Sequence, residues 1–292
     1  MHHRCLIMDL KVTVITSKSQ TEYEFKNTVR TLRKRNTLKN NQHFASKDGV
    51  PNEKSKRPRN ANDEEELSLG VSSSLPSFVN MRLSVTNYTK NGLELAKYLL
   101  GKIIFRRLDT GEIISARIVE TEAYLGEVDK ACHSFGGKRT DRTEPMYMAP
   151  GTAYIYFIYG MYYCLNISSQ DVGGCVLIRA LEPLTGQKTM RKFRLEKRKS
   201  NNTTIKDPAL CNGPSKLCTA LKITKDGLNK ENLASSSKLW IEAEEKECGF
   251  ETVVSKRIGI DSYGSECSSK LYRFYILGNK CVSIKDKEAE KQ

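Results

Sequence analysis

Apolar positions divide the chain into two unlike parts. Residues 1–77 are rich in Lys, Arg, Asn, Ser and Thr and contain few regularly spaced apolar side chains. Such a segment cannot bury enough surface to offset the entropy lost on ordering, so we predict a disordered basic and polar tail. In residues 78–292 the apolar positions recur with the periods of helices and strands, which predicts one folded domain whose last few residues are disordered.

The folded part is predicted to begin with a helix and two hairpins. NGLELAKYLLGK indicates the helix, since Leu95 and Leu99 stand four residues apart and Gly101 can end it. KIIFRRL and EIISARIVE flank a DTGE turn and predict one β-hairpin. AYIYFIYGMYYCLNIS predicts a second hairpin that turns at Gly160.

Later segments add strands and a helix. CVLIRAL, KLWIEAE and LYRFYIL predict strands, and CNGPSKLCTALKI predicts a Gly-Pro turn into a helix. Residues 190–204 are basic and weakly periodic, and they fit either a helix surface or a mobile loop. Hairpin-linked strands with interspersed helices indicate the α+β class.

The charge of the chain favours a polyanionic partner. It carries 48 Lys and Arg against 34 Asp and Glu, for a formal net charge of +14. Each phosphate that a basic side chain neutralises releases a counterion, which stabilises binding to nucleic acid. A soluble protein with a solvated basic surface has the same charge, so composition alone leaves both interpretations open.

The sequence offers several targeting interpretations. KSKRPRN fits a nuclear localisation signal, an auxiliary DNA contact or a solvated linker. The first twenty residues are poor in acidic side chains, as in a transit peptide, and they lack the apolar core of a secretory signal. No stretch approaches the roughly 18 apolar residues of a membrane helix, so we expect no membrane association.

Residue types that hold metals and nucleotides are scarce in the predicted domain. Only His133 of the four histidines follows residue 77, which argues against a His-rich metal centre. The nine cysteines are odd in number and scattered, as is usual for free thiols in a reducing compartment. GPSKL lacks the spacing of a phosphate-binding loop, and no G-x-G-x-x-G follows a strand. We therefore expect neither a metal nor another cofactor.

Two carboxylates on one predicted strand are candidates for acid–base chemistry. In IVETEAYLG the side chains of Glu120, Glu122 and Tyr124 point to the same side, because side chains alternate along a strand. Paired carboxylates beside an aromatic ring fit a general acid or base. They also fit the solvated edge of an amphipathic strand, which is the more frequent arrangement. The pattern does not choose between the two glutamates.

Other candidate residues suit a nucleic-acid site. His133 lies in a Gly-rich turn that permits close approach to a ligand, and Lys138 nearby can meet a phosphate. The predicted turn at Gly160 is surrounded by five tyrosines: Tyr154, Tyr156, Tyr159, Tyr162 and Tyr163. Strand packing accounts for some of them, but such a cluster in a basic protein suits stacking on bases or wedging between them. Asn166 and Arg179 lie in apolar strands, where each needs a polar partner.

These segments together resemble one known family. The similarity to the alkyladenine (3-methyladenine) DNA glycosylase family of the mammalian type is carried by RIVETEAYLG, the following His-Ser-x-Gly-Gly, MYMAPGTAYIYFIYGMYYCLNISSQ, CVLIRALEP and GPSKLC. It runs in order from about Leu83 to Ile284. The resemblance implies a base-excision-repair enzyme that flips alkylated or deaminated purines out of duplex DNA and hydrolyses their N-glycosidic bond without strand cleavage. It also implies a curved, mainly antiparallel sheet with flanking helices and a protruding β-hairpin.

The resemblance assigns the reaction to a few residues. Glu122 matches the general base that deprotonates the attacking water, and Arg179 matches a group near that water and the target phosphate. The side chains that sandwich the flipped base are matched by Tyr124, His133 and Tyr156. An alkylated purine can be cationic, and electron-rich ring faces are expected to attract it by about 1–2 kcal/mol in a dry site.

The resemblance also assigns DNA contacts. Tyr159 matches the wedge that fills the gap left in the duplex, and Asn166 matches the side chain that disfavours the exocyclic amine of guanine. Further DNA-contacting or site-lining positions are matched by Lys138, Met161, Tyr162 and Lys216. The expected partner is double-stranded DNA with damaged purines, bound by a monomer in the nucleus, with mitochondria as the alternative.

One loop departs from the family pattern. After Gly-Gly the family usually has Thr-x-Arg-Asn, whereas this chain has TDRTE, with Thr143 in place of the Asn and two added acids, Asp141 and Glu144. We expect this change to weaken phosphate contact or alter the loop while the pocket residues stay intact. Two other classes remain as alternatives: a non-catalytic binder of damaged nucleic acid, and a basic interaction module without preference for damage.

Overall fold

The computed structural model describes residues 81–196, 204–244 and 249–291. The predicted tail lies outside them, so its disorder and the domain boundary at residue 78 stay predictions. The strands of the described part are β1 Ile103–Arg107, β2 Ile113–Tyr124, β3 Ala153–Ile158, β4 Tyr162–Ser168, β5 Cys175–Thr185, β6 Leu239–Glu242, β7 Thr252–Ser255 and β8 Arg273–Ile276. The α-helices are α1 Val85–Tyr88, α2 Gly92–Leu99, α3 Gln187–Glu196, α4 Pro214–Ala220, α5 Lys225–Leu228 and α6 Ser265–Ser268.

These strands form one antiparallel sheet. Its order is β3-β4-β5-β2-β1-β6, with β8 pairing to β2 and to β7. Strand β2 is central, because β1 and β8 share one of its edges while β5 runs along the other. The sheet curls into a half barrel with flanking helices, which confirms the predicted α+β class and the curved antiparallel sheet.

Both predicted hairpins are present, and the second one carries an exposed tip. Strand β3 pairs with β4 from Ala153 opposite Ile167 to Ile158 opposite Tyr162. The turn between them places Tyr159 and Gly160 at φ angles of 53° and 65°. A tight hairpin turn favours this left-handed conformation at both central positions, and glycine adopts it freely whereas tyrosine does so at a cost.

Helix α2 anchors the middle of the central strand. Asn91 caps its start by accepting a hydrogen bond from the backbone N–H of Glu94 at 2.9 Å. Its apolar face, with Leu95 and Leu99, is fully buried in the main core. The hydroxyl of Thr121 on β2 donates to the carbonyl of Ala96 at 2.8 Å, so the helix fixes the strand between the two glutamates.

The pairing of β2 with β5 is irregular at the same place. Ile118 lies opposite Leu181, Glu120 opposite Ala180, and Thr121 opposite Ile178. Arg179 therefore has no residue directly opposite it. Such bulges bend a strand and change the direction of nearby side chains, which is why they are frequent beside functional sites.

The structure also bears on the basic segment 190–204, on the cysteines and on membrane-spanning helices. Helix α3 extends to Glu196, so the first part of residues 190–204 is helical, and residues 197–203 lie outside the described part. The seven cysteines that the structure describes are free thiols, as predicted, and all of them are buried. Among the described helices, none is both long and apolar enough to cross a membrane.

Candidate active site

A cavity of about 400 Å³ opens beside β2, β3 and β5. This volume falls in the range of small-molecule pockets, about 300–1,000 Å³, and most of the lining residues have aromatic or apolar side chains. The lining includes seven residues singled out from the sequence, namely Tyr124, His133, Tyr154, Tyr156, Tyr159, Asn166 and Arg179. Within the described residues, Arg179 is the only Lys, Arg, Asp or Glu in the wall.

Three rings from three segments face this cavity. Tyr124 ends β2, Tyr156 lies on β3, and His133 precedes the Gly-rich turn. The rings of His133 and Tyr156 meet edge to face, with centroids 4.7 Å apart. Offset and edge-to-face contacts of this kind hold rings in fixed orientations. The wall is therefore built before any ligand arrives.

His133 is neutral, and its hydrogen bonds define which ring nitrogen carries the proton. Burial first, and then the positive charges of Arg142 and Lys138, lower the pKa of His133 from 6.5 to about 4, so the ring is neutral at pH 7. Nε2 lies 3.3 Å from the guanidinium of Arg142, which can only donate, so Nε2 accepts. Nδ1 carries the proton and donates to the hydroxyl of Tyr154 at 2.9 Å.

Acidification should destabilise the folded protein through His133. Between pH 6.5 and about 4 the unfolded chain binds a proton that the folded ring does not, so the free energy of unfolding falls as pH falls through that window. One pKa unit corresponds to about 1.4 kcal/mol, and a loss on the order of 2 kcal/mol is expected after allowance for partial exposure. Urea unfolding at neutral and at mildly acidic pH should show a smaller loss for His133→Gln. An equal loss in both proteins would contradict this assignment.

Both candidate carboxylates are completely buried, so the solvated-edge interpretation is wrong. Arg179 links them: its Nε donates to Glu120 at 3.1 Å, and an Nη atom lies 3.1 Å from Glu122. Their common partner confirms that the two side chains point to the same side of β2. Burial lowers the pKa of Arg179, but the carboxylates of Glu122 and Glu120 raise it further, so the guanidinium stays charged.

The remaining partners distinguish the two glutamates. Glu120 accepts from Arg273 at 3.1 Å and from the backbone N–H and hydroxyl of Ser283 at 2.7 and 2.9 Å. Neither of these residues lines the cavity. Glu122 accepts from the hydroxyl of Tyr124 at 2.9 Å and from the N–H of Ile258 at 2.7 Å. Both of these donors line the cavity, so Glu122 is the carboxylate in contact with the pocket wall.

The phenol of Tyr124 orients Glu122. Burial and then the charge of Glu122 raise the pKa of Tyr124 well above its ordinary value. The phenol therefore keeps its proton and donates a hydrogen bond to the carboxylate. A hydrogen bond to an ionised acceptor is stronger than a neutral one, so it fixes the carboxylate within the wall.

Asn166 is buried as the strand pattern required. Its amide donates to the carbonyl of Tyr154 at 3.1 Å, and its side-chain oxygen lies 3.9 Å from the thiol of Cys175. The strand partner and the thiol orient the amide toward the cavity, which Asn166 lines. In this position the amide can hydrogen-bond to the edge of a ring bound in the cavity.

Of the other predicted DNA-contacting residues, Tyr159 lines the cavity from the hairpin tip, whereas Lys138, Met161, Tyr162 and Lys216 do not line it. Tyr159 and Met161 at the hairpin tip are 82% and 58% exposed, and Tyr162 begins the returning strand. Lys138 is exposed beyond the Gly-rich turn. Lys216 on α4 is also exposed, and its ammonium donates to the side chain of Asn212 at 2.8 Å.

The loop that departs from the family pattern is internally braced. Thr143 is buried, and its hydroxyl accepts from the N–H of Thr140 at 2.8 Å and donates to the carbonyl of Lys138 at 3.0 Å. Glu144 accepts two hydrogen bonds at 2.9 Å from the guanidinium of Arg139, which neutralises its charge. Thr143 therefore supports the loop from inside, and only the functional effect of the acids stays a prediction.

Two arginines near the cavity were missed from the sequence. Arg142 bonds His133 and lies over the ring of Tyr156 with its guanidinium carbon 5.2 Å from the centroid. Arg257 lies 4.7 Å over the ring of Tyr124 and pairs with Asp129. Arg142 stands in the divergent loop, and Arg257 lies far along the chain in a segment without a periodic pattern. The Arg of the family's Thr-x-Arg-Asn pattern was a signal for Arg142, whereas no local pattern marked Arg257.

Two cysteines that the sequence analysis did not single out, Cys132 and Cys175, also line the cavity. Their mutual interaction, more than any other contact, lowers the pKa of Cys132 to about 7. The segment 258–260 also lines the cavity. Among the described residues no group of three His, Cys, Asp or Glu side chains is arranged to hold a metal ion.

The curved sheet places an aromatic cavity beside a buried carboxylate, an arrangement whose size and lining suit a planar ring. Residues 86–280 match the family model described as methylpurine-DNA glycosylase, so the chain belongs to that family. It is 47% identical over 210 residues to a DNA-3-methyladenine glycosylase of Rattus norvegicus. The aligned residues cover 72% of this chain and 66% of the rat protein.

Other mammalian relatives agree with this assignment. The chain is 48% identical over 212 residues to a DNA-3-methyladenine glycosylase of Mus musculus, covering 72% of this chain and 63% of the mouse protein. It is 46% identical over 211 residues to one of Homo sapiens, covering 72% and 70%. The chain thus spans about two thirds of the length of the rat and mouse proteins.

Proposed function

We propose that this protein is a monofunctional DNA glycosylase that extrudes damaged purines from duplex DNA and hydrolyses their N-glycosidic bond. The observation that carries the proposal is the position of Glu122, a buried carboxylate whose Tyr124 and Ile258 donors form part of an aromatic cavity. A base inside a duplex is out of reach of such a cavity, so the target nucleotide must flip out of the stack.

Glu122 is proposed to activate the water. A carboxylate oxygen can accept two hydrogen bonds, and within the described residues Oε1 accepts only from the N–H of Ile258. A water on the free lone pair would lie at the cavity wall. As its oxygen bonds to the sugar carbon, its proton passes to Glu122 and the carbon–nitrogen bond breaks. The base leaves with the bonding electrons: a cationic base leaves as the neutral purine, and a neutral base leaves as an anion that takes a proton from solvent water.

The rings of Tyr124, His133 and Tyr156 are proposed to hold the flipped base, with Asn166 at its edge. Simple hydrolysis is favoured over a lyase step, because a lyase needs an amine at the sugar carbon. Among the residues that the structure describes, no lysine lines the cavity. We therefore propose an abasic site as the product, with the strand left intact.

A base-release assay tests the function. Duplexes with one hypoxanthine or one ethenoadenine are incubated with the protein, and the free base and the alkali-labile abasic site are measured. Release of both products is expected, without strand breaks before alkali. The alternative class, a non-catalytic binder of damaged nucleic acid, predicts retention of the duplex without free base. Localisation to the nucleus is part of the proposal, and microscopy of the full chain tests it.

The hairpin tip is proposed to fill the gap that the flipped base leaves. Tyr159 is suited to this, since its ring is 82% exposed although its backbone is strained at φ 53°. A non-glycine residue held in the left-handed region costs about 1–3 kcal/mol. An exposed ring makes few contacts that could offset this strain within the free protein. We therefore expect the ring of Tyr159 to make its stabilising contacts in the complex with DNA.

Replacement of Tyr159 by glycine should separate folding from lesion capture. Tyr159→Gly relieves the backbone strain, so the melting temperature should stay or rise, while base stacking worth about 1–3 kcal/mol is lost. Affinity for lesion duplex should fall roughly ten-fold or more, with Tyr159→Phe close to wild type. Thermal melting and fluorescence anisotropy measure the two effects. Wild-type affinity in Tyr159→Gly would exclude the wedge.

A further inference from the structure

Two aromatic rings of the cavity wall are each in contact with an arginine side chain. The guanidinium carbon of Arg257 lies 4.7 Å over the ring of Tyr124, and that of Arg142 lies 5.2 Å over the ring of Tyr156. Both distances fall within the roughly 6 Å of a cation–π contact. These are two of the three rings that are proposed to hold the flipped base, the third being that of His133. Their attraction for a cation is therefore partly satisfied in the free protein.

Arg257 is fixed behind the wall. Its side chain is completely buried, it does not line the cavity, and it pairs with both oxygens of Asp129 at 2.5 and 2.9 Å. Its guanidinium also donates to the carbonyl of Ala123 at 3.1 Å. A guanidinium held in this way stays over the ring of Tyr124 when a base enters from the cavity side. It withdraws electron density from the face that the base would meet.

Arg142 acts at the exposed edge of the cavity. Its guanidinium bonds Nε2 of His133 at 3.3 Å, so one arginine touches two of the three proposed stacking rings. Among the described residues no carboxylate pairs with Arg142 or with Lys138 nearby, whereas Arg139 on the same loop is paired with Glu144. The edge of the cavity is therefore positive.

The wall itself offers no compensating negative charge. Within the described residues no Asp or Glu lines the cavity, and Arg179 does. The nearest carboxylates each have a cationic partner: Glu122 has Arg179, Glu120 has Arg179 and Arg273, and Asp129 has Arg257. A cationic base would enter a site in which arginines already contact the rings of Tyr124 and Tyr156.

We propose that the cavity discriminates by charge and favours neutral purine adducts over cationic ones, with Arg142 and Arg257 as the residues that set this preference. The inference rests on the proposed function. It reverses the expectation from residue types alone, in which electron-rich rings favour a cationic base. A neutral ring stacks on the tyrosines without repulsion, whereas a cation competes with guanidinium groups for the same π-systems.

The test compares two lesions in one sequence context under single turnover. Ethenoadenine represents the neutral class and 7-methylguanine the cationic class. Arg142→Gln should raise the rate constant for 7-methylguanine relative to that for ethenoadenine about five-fold, the factor that one cation–π contact is worth at a partly exposed site. Lys138→Gln removes one positive charge from the same loop without touching a ring. It should change both rate constants by the same factor.

A second variant removes the buried cation without a change in net charge. The double variant Arg257→Gln with Asp129→Asn replaces the ion pair as a unit, which avoids leaving one charge buried alone. Thermal melting identifies the temperature at which it is folded, and there the ratio should shift in the same direction as in Arg142→Gln. Because the net charge is unaltered, such a shift reports on the ring contact alone.

The outcomes separate this inference from the proposed function. Base release by the wild type with an unchanged ratio in both variants would overturn the charge discrimination and leave the glycosylase activity standing. A ratio that shifts equally in Lys138→Gln and Arg142→Gln would also overturn it, because the effect would then be long-range attraction to DNA. No base release from either duplex by the wild type would overturn the proposed function and this inference with it.

Discussion

Glu122→Gln should lower the single-turnover rate of base release by about 10²–10⁴-fold, the usual contribution of a general base. The amide keeps the size of the carboxylate and can still accept from Ile258, but it cannot take a proton from water. Affinity for the lesion duplex should persist, because the rings that line the cavity are untouched. Quenched-flow or manual time courses with excess protein give the rate, and anisotropy gives the affinity.

Glu120→Gln is the matched control on the same face of β2. Its carboxylate bonds Arg179, Arg273 and Ser283, so its loss should lower the melting temperature. The chemical step of the folded protein should be much less affected than in Glu122→Gln. Comparable rates of base release in Glu122→Gln and wild type would remove Glu122 as the base. A larger rate loss in Glu120→Gln would transfer the role to that residue.

Arg179→Met should destabilise the fold by about 3–5 kcal/mol, since it leaves buried carboxylates without their shared partner. Glu122 loses its only ion-pair partner among the described residues, whereas Glu120 keeps Arg273. The stability of Arg179→Lys should lie between that of the wild type and that of Arg179→Met, because a compact ammonium lacks the fixed, forked donor geometry of a guanidinium. Urea unfolding at neutral pH measures the differences.

The double variant Arg179→Met with Glu120→Gln provides the control for Arg179. If the shared guanidinium is the source of stability, the two changes should be strongly non-additive, because they remove the same contact. Additive losses would show that Arg179 stabilises the fold by packing alone. Unchanged stability in Arg179→Met would contradict the proposed role of the buried network.

Local patterns were sufficient for the strands and for the common face of the two glutamates. Alternation along IVETEAYLG placed Glu120 and Glu122 together, and the structure joins them through Arg179. Burial of both faces of β2 could not be foreseen, because polar residues alternate there as on a solvated edge. The central position of β2 in the sheet is the physical reason that its polar side chains are buried and paired.

The choice between the glutamates depended on residues far away in the chain. Ile258 and Ser283 donate through backbone N–H groups, which any residue type can supply, so no side-chain pattern marks them. Arg142 was hidden for a different reason. Its loop was interpreted as a departure from the family pattern with excess negative charge, whereas folding pairs Glu144 with Arg139 and brings Arg142 to His133.

The hydrogen bonds between Glu120 and Ser283 have a consequence for synthesis of the protein. They join residues 163 positions apart, so a ribosome has completed almost the whole folded domain before they can form. Basic side chains and the aromatic hairpin emerge much earlier. We therefore expect nascent chains and products of interrupted translation to attract nucleic acid while the hydrogen bonds between Glu120 and Ser283 are still missing.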